Sequence, residues 1–256
     1  MKGLGLDKVT RRFGGLVALD NISLDIAPAG ITAVIGPNGA GKTTLFNIIS
    51  GFDKPSAGHV FFDGEDITAT PPELIARSGL VRTFQLVQLF DDLTVLENVK
   101  VGRHLHSFGG LWSAITPFHG AKREAEVETA ADALLQQIGL AEQASAHAAT
   151  LPYGQKRLLE IARAMAAEPK ILLLDEPAAG LNREETLHLA GLLRQIADAG
   201  TAILLIEHDM SLVMSVAARI AVLDFGQVIA EGSPGEVREN RDVIAAYLGT
   251  TEAGVV

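Results

Sequence analysis

Cysteine is absent from the 256 residues, so no disulfide, thiolate metal site or cysteine nucleophile is available. Positive charge is in short supply: 21 Lys and Arg stand against 31 Asp and Glu, a formal net charge of −10. That balance argues against a chain whose task is to neutralise nucleic-acid phosphates. Charged residues of both signs amount to only 20%, against 48% hydrophobic, which excludes a disordered chain. Long apolar runs are missing too. Stretches such as 171–174 and 202–206 reach four or five residues, far short of the roughly 20 that a membrane helix needs. The richer segment 211–223 is broken by Arg219. The opening Met1-Lys2-Gly3-Leu4-Gly5-Leu6-Asp7 lacks the apolar stretch of a signal peptide. These absences predict a soluble, intracellular chain whose dealings with a membrane run through partners. Its length fits one large α/β domain, or a core with a subdomain.

What is present is an alternation of strand and helix signals. Ile22, Leu24 and Ile26 alternate with Asn21, Ser23 and Asp25, the pattern of a half-buried strand. Residues 31–35 read as a short apolar strand, followed by a glycine loop over 36–41 and a helical run to Ser50. A further strand over 58–62 closes at Asp63-Gly64. Thr70-Pro71-Pro72-Glu73 predicts a helix with Thr70 as its N-cap, and Thr94-Val95-Leu96-Glu97 repeats the capping-box spacing. Val127, Ala131, Leu134, Leu135 and Ile138 share one face of a helix over 124–138, which Gly139 stops. Segment 103–120, with Gly109-Gly110, Trp112 and Pro117, has no clean period and reads as a loop-rich insertion. Beyond it come a helix over 155–166, an apolar strand over 171–174, a helix capped by Asn182 and Glu185, and a strand over 201–206. That order predicts right-handed crossovers in a parallel sheet. A hairpin follows over 219–230 about Asp224-Phe225-Gly226, and Ser233-Pro234-Gly235-Glu236 caps a last helix.

Chemistry enters at Gly36-Pro37-Asn38-Gly39-Ala40-Gly41-Lys42-Thr43, which fits the phosphate-binding pattern G-x-x-x-x-G-K-[ST]. Glycines let successive N–H groups point inward as a nest for phosphate oxygens. The following helix aims its positive end at the same anion. Lys42 supplies a full charge to the β and γ phosphates, and the Thr43 hydroxyl is a ligand for Mg²⁺; Thr44 doubles that hydroxyl without an assigned role. Asp175 and Glu176 stand at the carboxyl end of a strand, where α/β sheets bind their ligands. One carboxylate there can hold Mg²⁺ through water, and a second can deprotonate an attacking water. Alone, such a pair is more often a solvated loop; the phosphate loop upstream tips the reading towards chemistry. His208 also follows a strand, and by itself it says little.

Taken in order, these motifs resemble the ATP-binding subunits of ABC transporters over nearly the whole chain. Residues 36–43 match the Walker A loop, and Gln85 in Arg82-Thr83-Phe84-Gln85 matches the Q-loop. Leu151-Pro152-Tyr153-Gly154-Gln155 matches the ABC signature, and 171–175 with Glu176 matches Walker B and its catalytic glutamate. Ala179-Gly180-Leu181-Asn182 matches the D-loop, His208 the H-loop, and Phe13 the aromatic that stacks on adenine, where the plain alternative is a core phenylalanine. Ile206-Glu207-His208-Asp209-Met210 and Ala246-Tyr247-Leu248 narrow the likeness to the LivG-type subunits of branched-chain amino acid importers.

The resemblance implies an α/β P-loop fold. Its nucleotide-binding core, with an antiparallel β subdomain, would span 1–85 and 156–230. A helical subdomain carrying the signature would span 86–155, and a C-terminal helical tail 231–256. It implies ATP and Mg²⁺ as cofactors. Phe13, Gly36, Pro37, Asn38, Gly39, Ala40, Gly41, Lys42, Thr43, Thr44, Tyr153, Gly154 and Gln155 would meet the nucleotide. Thr43, Gln85 and Asp175 would meet the metal, and Glu176, His208, Gln85 and Lys42 would act in catalysis. The implied partners are a second cassette (another copy or a LivF-like sister), two integral membrane permease subunits and, indirectly, an extracytoplasmic solute-binding protein, but no nucleic acid. The implied place is the cytoplasmic face of the cell membrane, as a peripheral subunit.

Importers of urea, amides or aromatic acids share these features, and a soluble ABC ATPase outside transport is the other reading. Such soluble machines tend to carry tandem cassettes, a long coiled-coil insert or a basic surface. This chain has one cassette, net acidity and an insert of under 70 residues between Gln85 and Leu151. Two positions depart from the family pattern. Pro152 lacks the hydroxyl and amide hydrogen of the usual serine, and Asn182 replaces an aspartate. Lys42, Gln85, Asp175, Glu176 and His208 are all present, so an active enzyme is expected.

Overall fold

A computed structural model describes residues 3–85, 87–103 and 117–252. The alternating residues of β2 (Leu16–Ile26) put Leu19, Ile22, Leu24 and Ile26 inside. β2 pairs antiparallel with β1 (Leu4–Phe13), β1 with β4 (Ala57–Phe62), and β4 with the short β5 (Glu65–Asp66), giving the order β2-β1-β4-β5. Nothing in the sequence announces β1, because register shifts between Leu6 and Arg12 break its alternation.

The second sheet has six strands in the order β10-β9-β3-β8-β7-β6. These are β3 (Ile31–Ile35), β6 (Leu80–Arg82), β7 (Ile171–Asp175), β8 (Ala202–Ile206), β9 (Arg219–Asp224) and β10 (Gln227–Gly232). Every neighbouring pair is parallel except the β9–β10 hairpin. β3, β7 and β8 are buried along their whole length, which is why they read as unbroken apolar runs. Successive side chains still divide between two cores. Val34, Leu173 and Leu204 join Leu45, Phe46 and Ile49 of α1 (Lys42–Ile49) and the inner face of the antiparallel sheet. Ile35, Leu172, Leu174 and Leu205 join α5 (Tyr153–Met165) and α6 (Arg183–Asp198) on the opposite side. Helices α3 (Val95–Arg103) and α4 (Pro117–Gln137) lie between β6 and β7 in the chain and pack into this second core through Val95, Val99, Ala131 and Leu135.

The mixed parallel sheet, the antiparallel sheet and the hairpin over 219–230 are as expected. Thr70 is not a helix cap. The N-cap of α2 (Pro72–Ser78) is Pro71, at ψ 149°, because a residue preceding proline is driven to extended backbone and the helix cannot begin before Pro72. Of the expected loop over 103–120, residues 104–116 lie outside the described residues, Arg103 closes α3, and 117–120 already belong to α4. The helix after the signature starts at Tyr153, two residues earlier than its pattern suggests. Besides α7 (Met210–Val216), which no sequence signal marked, α8 (Pro234–Glu239) is followed by α9 (Arg241–Glu252). Asn240 starts α9 by accepting from the N–H groups of Asp242 and Val243 at 2.8 and 3.3 Å.

Asn182 forms a full capping box: its side chain accepts from the N–H groups of Glu184 and Glu185, while Glu185 accepts from the Asn182 N–H. Asn182→Ala should therefore cost about 1 kcal/mol of stability. A urea midpoint indistinguishable from the parent's would show that the cap contributes nothing.

Candidate functional site

The register of the central sheet assembles the site. Asp175 lies beside Ile206, and Ile206 beside Val34, so β3, β7 and β8 end level and their three following loops emerge at one edge. The loop over 36–41 passes close to its neighbours. A Cβ on Gly36 would sit 2.0 Å from the Leu223 carbonyl oxygen, and one on Gly41, at φ 103°, would sit 2.6 Å from that of Ala18. Only glycine fits at these two places. Lys42 opens α1 and folds back over the loop, its Nζ donating to the carbonyls of Gly36 and Pro37 at 2.7 and 2.9 Å. Burial pushes the ammonium pKa down, and the charges of Glu176 and Asp175 oppose that. From the far end of the chain, the Gly36 backbone hydrogen-bonds to the hydroxyl of the half-buried Tyr247 of α9, whose pKa desolvation raises.

The cleft above the loop has a volume of about 430 Å³. Phe13, Asn38, Gly39, Ala40, Gly41, Lys42, Thr43, Thr44 and Glu176 all line it, with Leu16, Val17, Ala18 and Phe225. The lining thus offers backbone amides, a helix N-terminus, an ammonium and two hydroxyls, which suits a polyphosphate. Phe13, Leu16, Val17, Ala18 and Phe225 add apolar surface to the same cleft. Phe13 stands half exposed at its mouth, with the Arg11 guanidinium 4.4 Å from its ring centre, so it is not a core residue.

Glu176 follows β7 in left-handed backbone, φ 47°, with its N–H bonded to the Ile206 carbonyl at 2.9 Å. Such a conformation is uncommon for a residue with a side chain and tends to mark functional positions. Gln85 Nε2 donates to Glu176 Oε2 at 3.1 Å, and His208 Nδ1 stands 3.7 Å from the same oxygen. Side chains from two other loops therefore meet at the Glu176 carboxylate. Asp175 is buried and accepts from Arg82 at 2.9 Å; Arg82 also donates to Asn47 Oδ1 and Ser50 Oγ at 2.7 and 3.0 Å. Among the described residues no three His, Asp or Glu side chains form a metal cage. A divalent ion held by Thr43 and Asp175 would complete its shell with phosphate oxygens and water, the manner in which Mg²⁺ is commonly bound.

Other buried groups, not singled out by sequence, hold these loops in place. Glu207 Oε1 accepts from the Ala178 N–H at 2.8 Å, and its Oε2 from those of His208 and Asp209 at 3.0 and 3.2 Å. Burial raises its pKa, and these three donors counter that. Its signal was the one that marked Asp175 and Glu176, a carboxylate at the end of an apolar strand. Arg157 of α5 is 1% exposed. It donates to the carbonyls of Phe84, Gln85 and Glu176 at 2.9, 2.7 and 3.2 Å, and to Glu160 at 2.9 Å. Burial pushes the Glu160 pKa up, and Arg157 offsets this.

Tyr153, Gly154 and Gln155 do not line the phosphate cleft. Pro152 is the N-cap of α5 and makes no side-chain cap bond. A Cβ on Gly154 would lie 2.4 Å from Glu185 Oε1, and one on Gly180 would lie 3.1 Å from Tyr153 Cε1. Gly154 and Gln155 instead line a separate cavity of about 420 Å³ with Asn182 and Glu185. No helix among the described residues is long and apolar enough to cross a membrane.

Comparison with known proteins agrees with this geometry. The family described as ABC transporter matches residues 19–179, and the one described as Branched-chain amino acid ATP-binding cassette transporter matches 227–253. The chain is 46% identical over 248 residues to the high-affinity branched-chain amino acid transport ATP-binding protein LivG of Escherichia coli, covering 96% of this chain and 97% of that one. It is 47% identical over 252 residues to the corresponding protein BraF of Pseudomonas aeruginosa, with the same coverage. A crystal structure of an ATP-binding cassette of an ABC transporter in its ADP conformation superposes with a TM-score of 0.84 at 32% identity, covering 97% of this chain and 99% of that one.

Removing the Arg157 guanidinium would strand the Glu160 carboxylate and three carbonyls. Arg157→Met should lower unfolding stability by about 3–5 kcal/mol, read from a denaturant titration; a loss below about 1 kcal/mol would show that the pair is idle.

Proposed function

The chain belongs to the ATP-binding subunits of ABC transporters, and from that membership we propose that it powers the import of branched-chain amino acids through partner membrane subunits. It is an ATPase. The observation that carries the assignment of its site is the meeting of the phosphate loop, Glu176, Gln85 and His208 about one cleft. In this reading the amides over 36–43 and Lys42 bind the β and γ phosphates of ATP, and Phe13 stacks on the base. Thr43 and Asp175, with Gln85, hold Mg²⁺, which when bound offsets phosphate charge. Glu176 takes a proton from water as its oxygen attacks the γ-phosphorus, and the bond to the β-phosphate oxygen breaks to leave ADP and phosphate. Gln85 and His208 orient that water and the departing phosphoryl group.

One chain does not complete the site. Tyr153, Gly154 and Gln155 stand apart from the cleft, so they serve the nucleotide of a second cassette packed head to tail, either another copy or a LivF-like sister. ATP between the two favours the closed pair and hydrolysis releases it. Pro152 and Tyr153 leave that contact to Gly154, Gln155 and the N-terminus of α5. The groove of about 610 Å³ lined by Phe84, Leu89, Phe90, Val101 and Arg163 receives a segment of a membrane subunit. With it goes a division into a core (1–85 and 156–230), a helical subdomain (86–155) and a tail (231–256). Branched-chain amino acids are favoured by the names of the relatives and by the match over 227–253. The subunit then lies at the cytoplasmic face, peripheral to two permease subunits that are served by an extracytoplasmic binding protein.

Glu176→Gln should retain ATP binding and lose at least roughly 100-fold in turnover, and it should trap a closed pair of cassettes in ATP. Full turnover by that variant rules out Glu176 as the base. Lys42→Ala should lose ATP binding, and an unaltered titration curve would count against the phosphate-loop assignment.

A further inference from the structure

The turn between β9 and β10 is Asp224-Phe225-Gly226-Gln227, with φ 42° at Phe225 and 78° at Gly226. Positive φ at both central residues is the type I′ hairpin pattern, whose first central position favours Asn, Asp or Gly. A bulky aromatic there is an outlier. Its ring is also 85% exposed, more than any other large apolar side chain among the described residues. Phe225 thus combines an unfavourable backbone with an unburied ring, and neither is offset by packing in the core.

The turn is nevertheless held firmly. The Gly226 N–H donates to the Ala40 carbonyl of the phosphate loop at 3.0 Å, and the Gly226 carbonyl accepts from the Asp20 N–H at 2.8 Å. Gln227 Nε2 donates to Asp20 Oδ2 at 3.0 Å. These bonds set Phe225 on the rim of the phosphate cleft, which it lines together with Phe13 and Leu16. Those two are likewise exposed apolar side chains. Three exposed apolar side chains thus line the same cleft as Lys42, Thr43 and Thr44. A molecule with a charged tail and a flat apolar head fits that lining.

We propose that Phe225 is a nucleobase-binding residue, forming with Phe13 the apolar receptacle for the base of the bound nucleoside triphosphate. The proposal rests on the reading of this cleft as the ATP site and adds to it a residue that tightens binding. Stacking tolerates any base, so Phe225 sets affinity and leaves the choice between adenine and guanine unchanged.

The test uses the full chain with Mg²⁺, titrated with ATP, GTP and inorganic tripolyphosphate, in the parent, Phe225→Asn and Phe225→Tyr. Asparagine suits the turn, so Phe225→Asn should melt at or above the parent temperature. Its Kd for ATP and for GTP should both rise roughly tenfold, with tripolyphosphate binding unchanged, and Phe225→Tyr should keep the parent affinities. ATP affinity within twofold of the parent in Phe225→Asn would overturn the proposal. An equal loss for tripolyphosphate would overturn it too, since the residue would then support the phosphate loop and not the base. A parent chain that binds neither ATP nor tripolyphosphate would instead defeat the reading of the cleft itself, and the role of Phe225 with it.

Discussion

The level ending of three parallel strands is the constraint on which the rest depends. Because Ile206 is flanked by Val34 on one side and Asp175 on the other, the loops after β3, β7 and β8 leave the sheet together. The phosphate loop, the Asp175-Glu176 pair and His208 are consequences of that register. A one-residue slip would turn every side chain of a strand to the other face, and the two cores on either side forbid it. The apolar runs that make these strands easy to find are therefore also what aims the polar residues following them.

Buried charges then fix what the register brings near. Arg82 ties Asp175 at the end of β7 to Asn47 and Ser50 of the α1 segment. Glu207 ties the loop after β8 to Ala178 in the loop after β7. Arg157 spans from α5, whose first residues are Tyr153, Gly154 and Gln155, to the carbonyls of Gln85 and Glu176. Burying such groups is costly unless they are paired, and each makes several bonds to a different segment. Arg157 thereby bonds α5 to the backbone at both Gln85 and Glu176. This gives a physical route between the place assigned to the second cassette and the place assigned to hydrolysis.

Much of this was legible in the residues. The apolar runs marked β3, β7 and β8, and the capping pairs Thr94 with Glu97, Asn182 with Glu185 and Ser233 with Glu236 marked helix starts. The motifs identified Lys42, Glu176, Gln85 and His208, which the fold gathers at one edge. What escaped notice lacked local periodicity or a local partner. β1 hides behind its register shifts, and Thr70 failed as a cap because Pro71 precedes another proline. Nothing local to the helix marked Arg157, since its importance lies in the Phe84 and Gln85 carbonyls more than 70 residues away in the chain. Phe225 read only as part of a turn, and its exposure on the rim of the cleft could not be inferred from spacing.

The central claim, that main-chain amides over 36–43 grip the polyphosphate tail of ATP, is tested most directly by amide hydrogen exchange on the full chain with and without saturating Mg²⁺ and ATP. The account predicts slowed exchange at Gly39, Ala40, Gly41, Lys42 and Thr43, with the amides in the middle of α6 unaffected. Unchanged exchange across that loop at saturating nucleotide would contradict it.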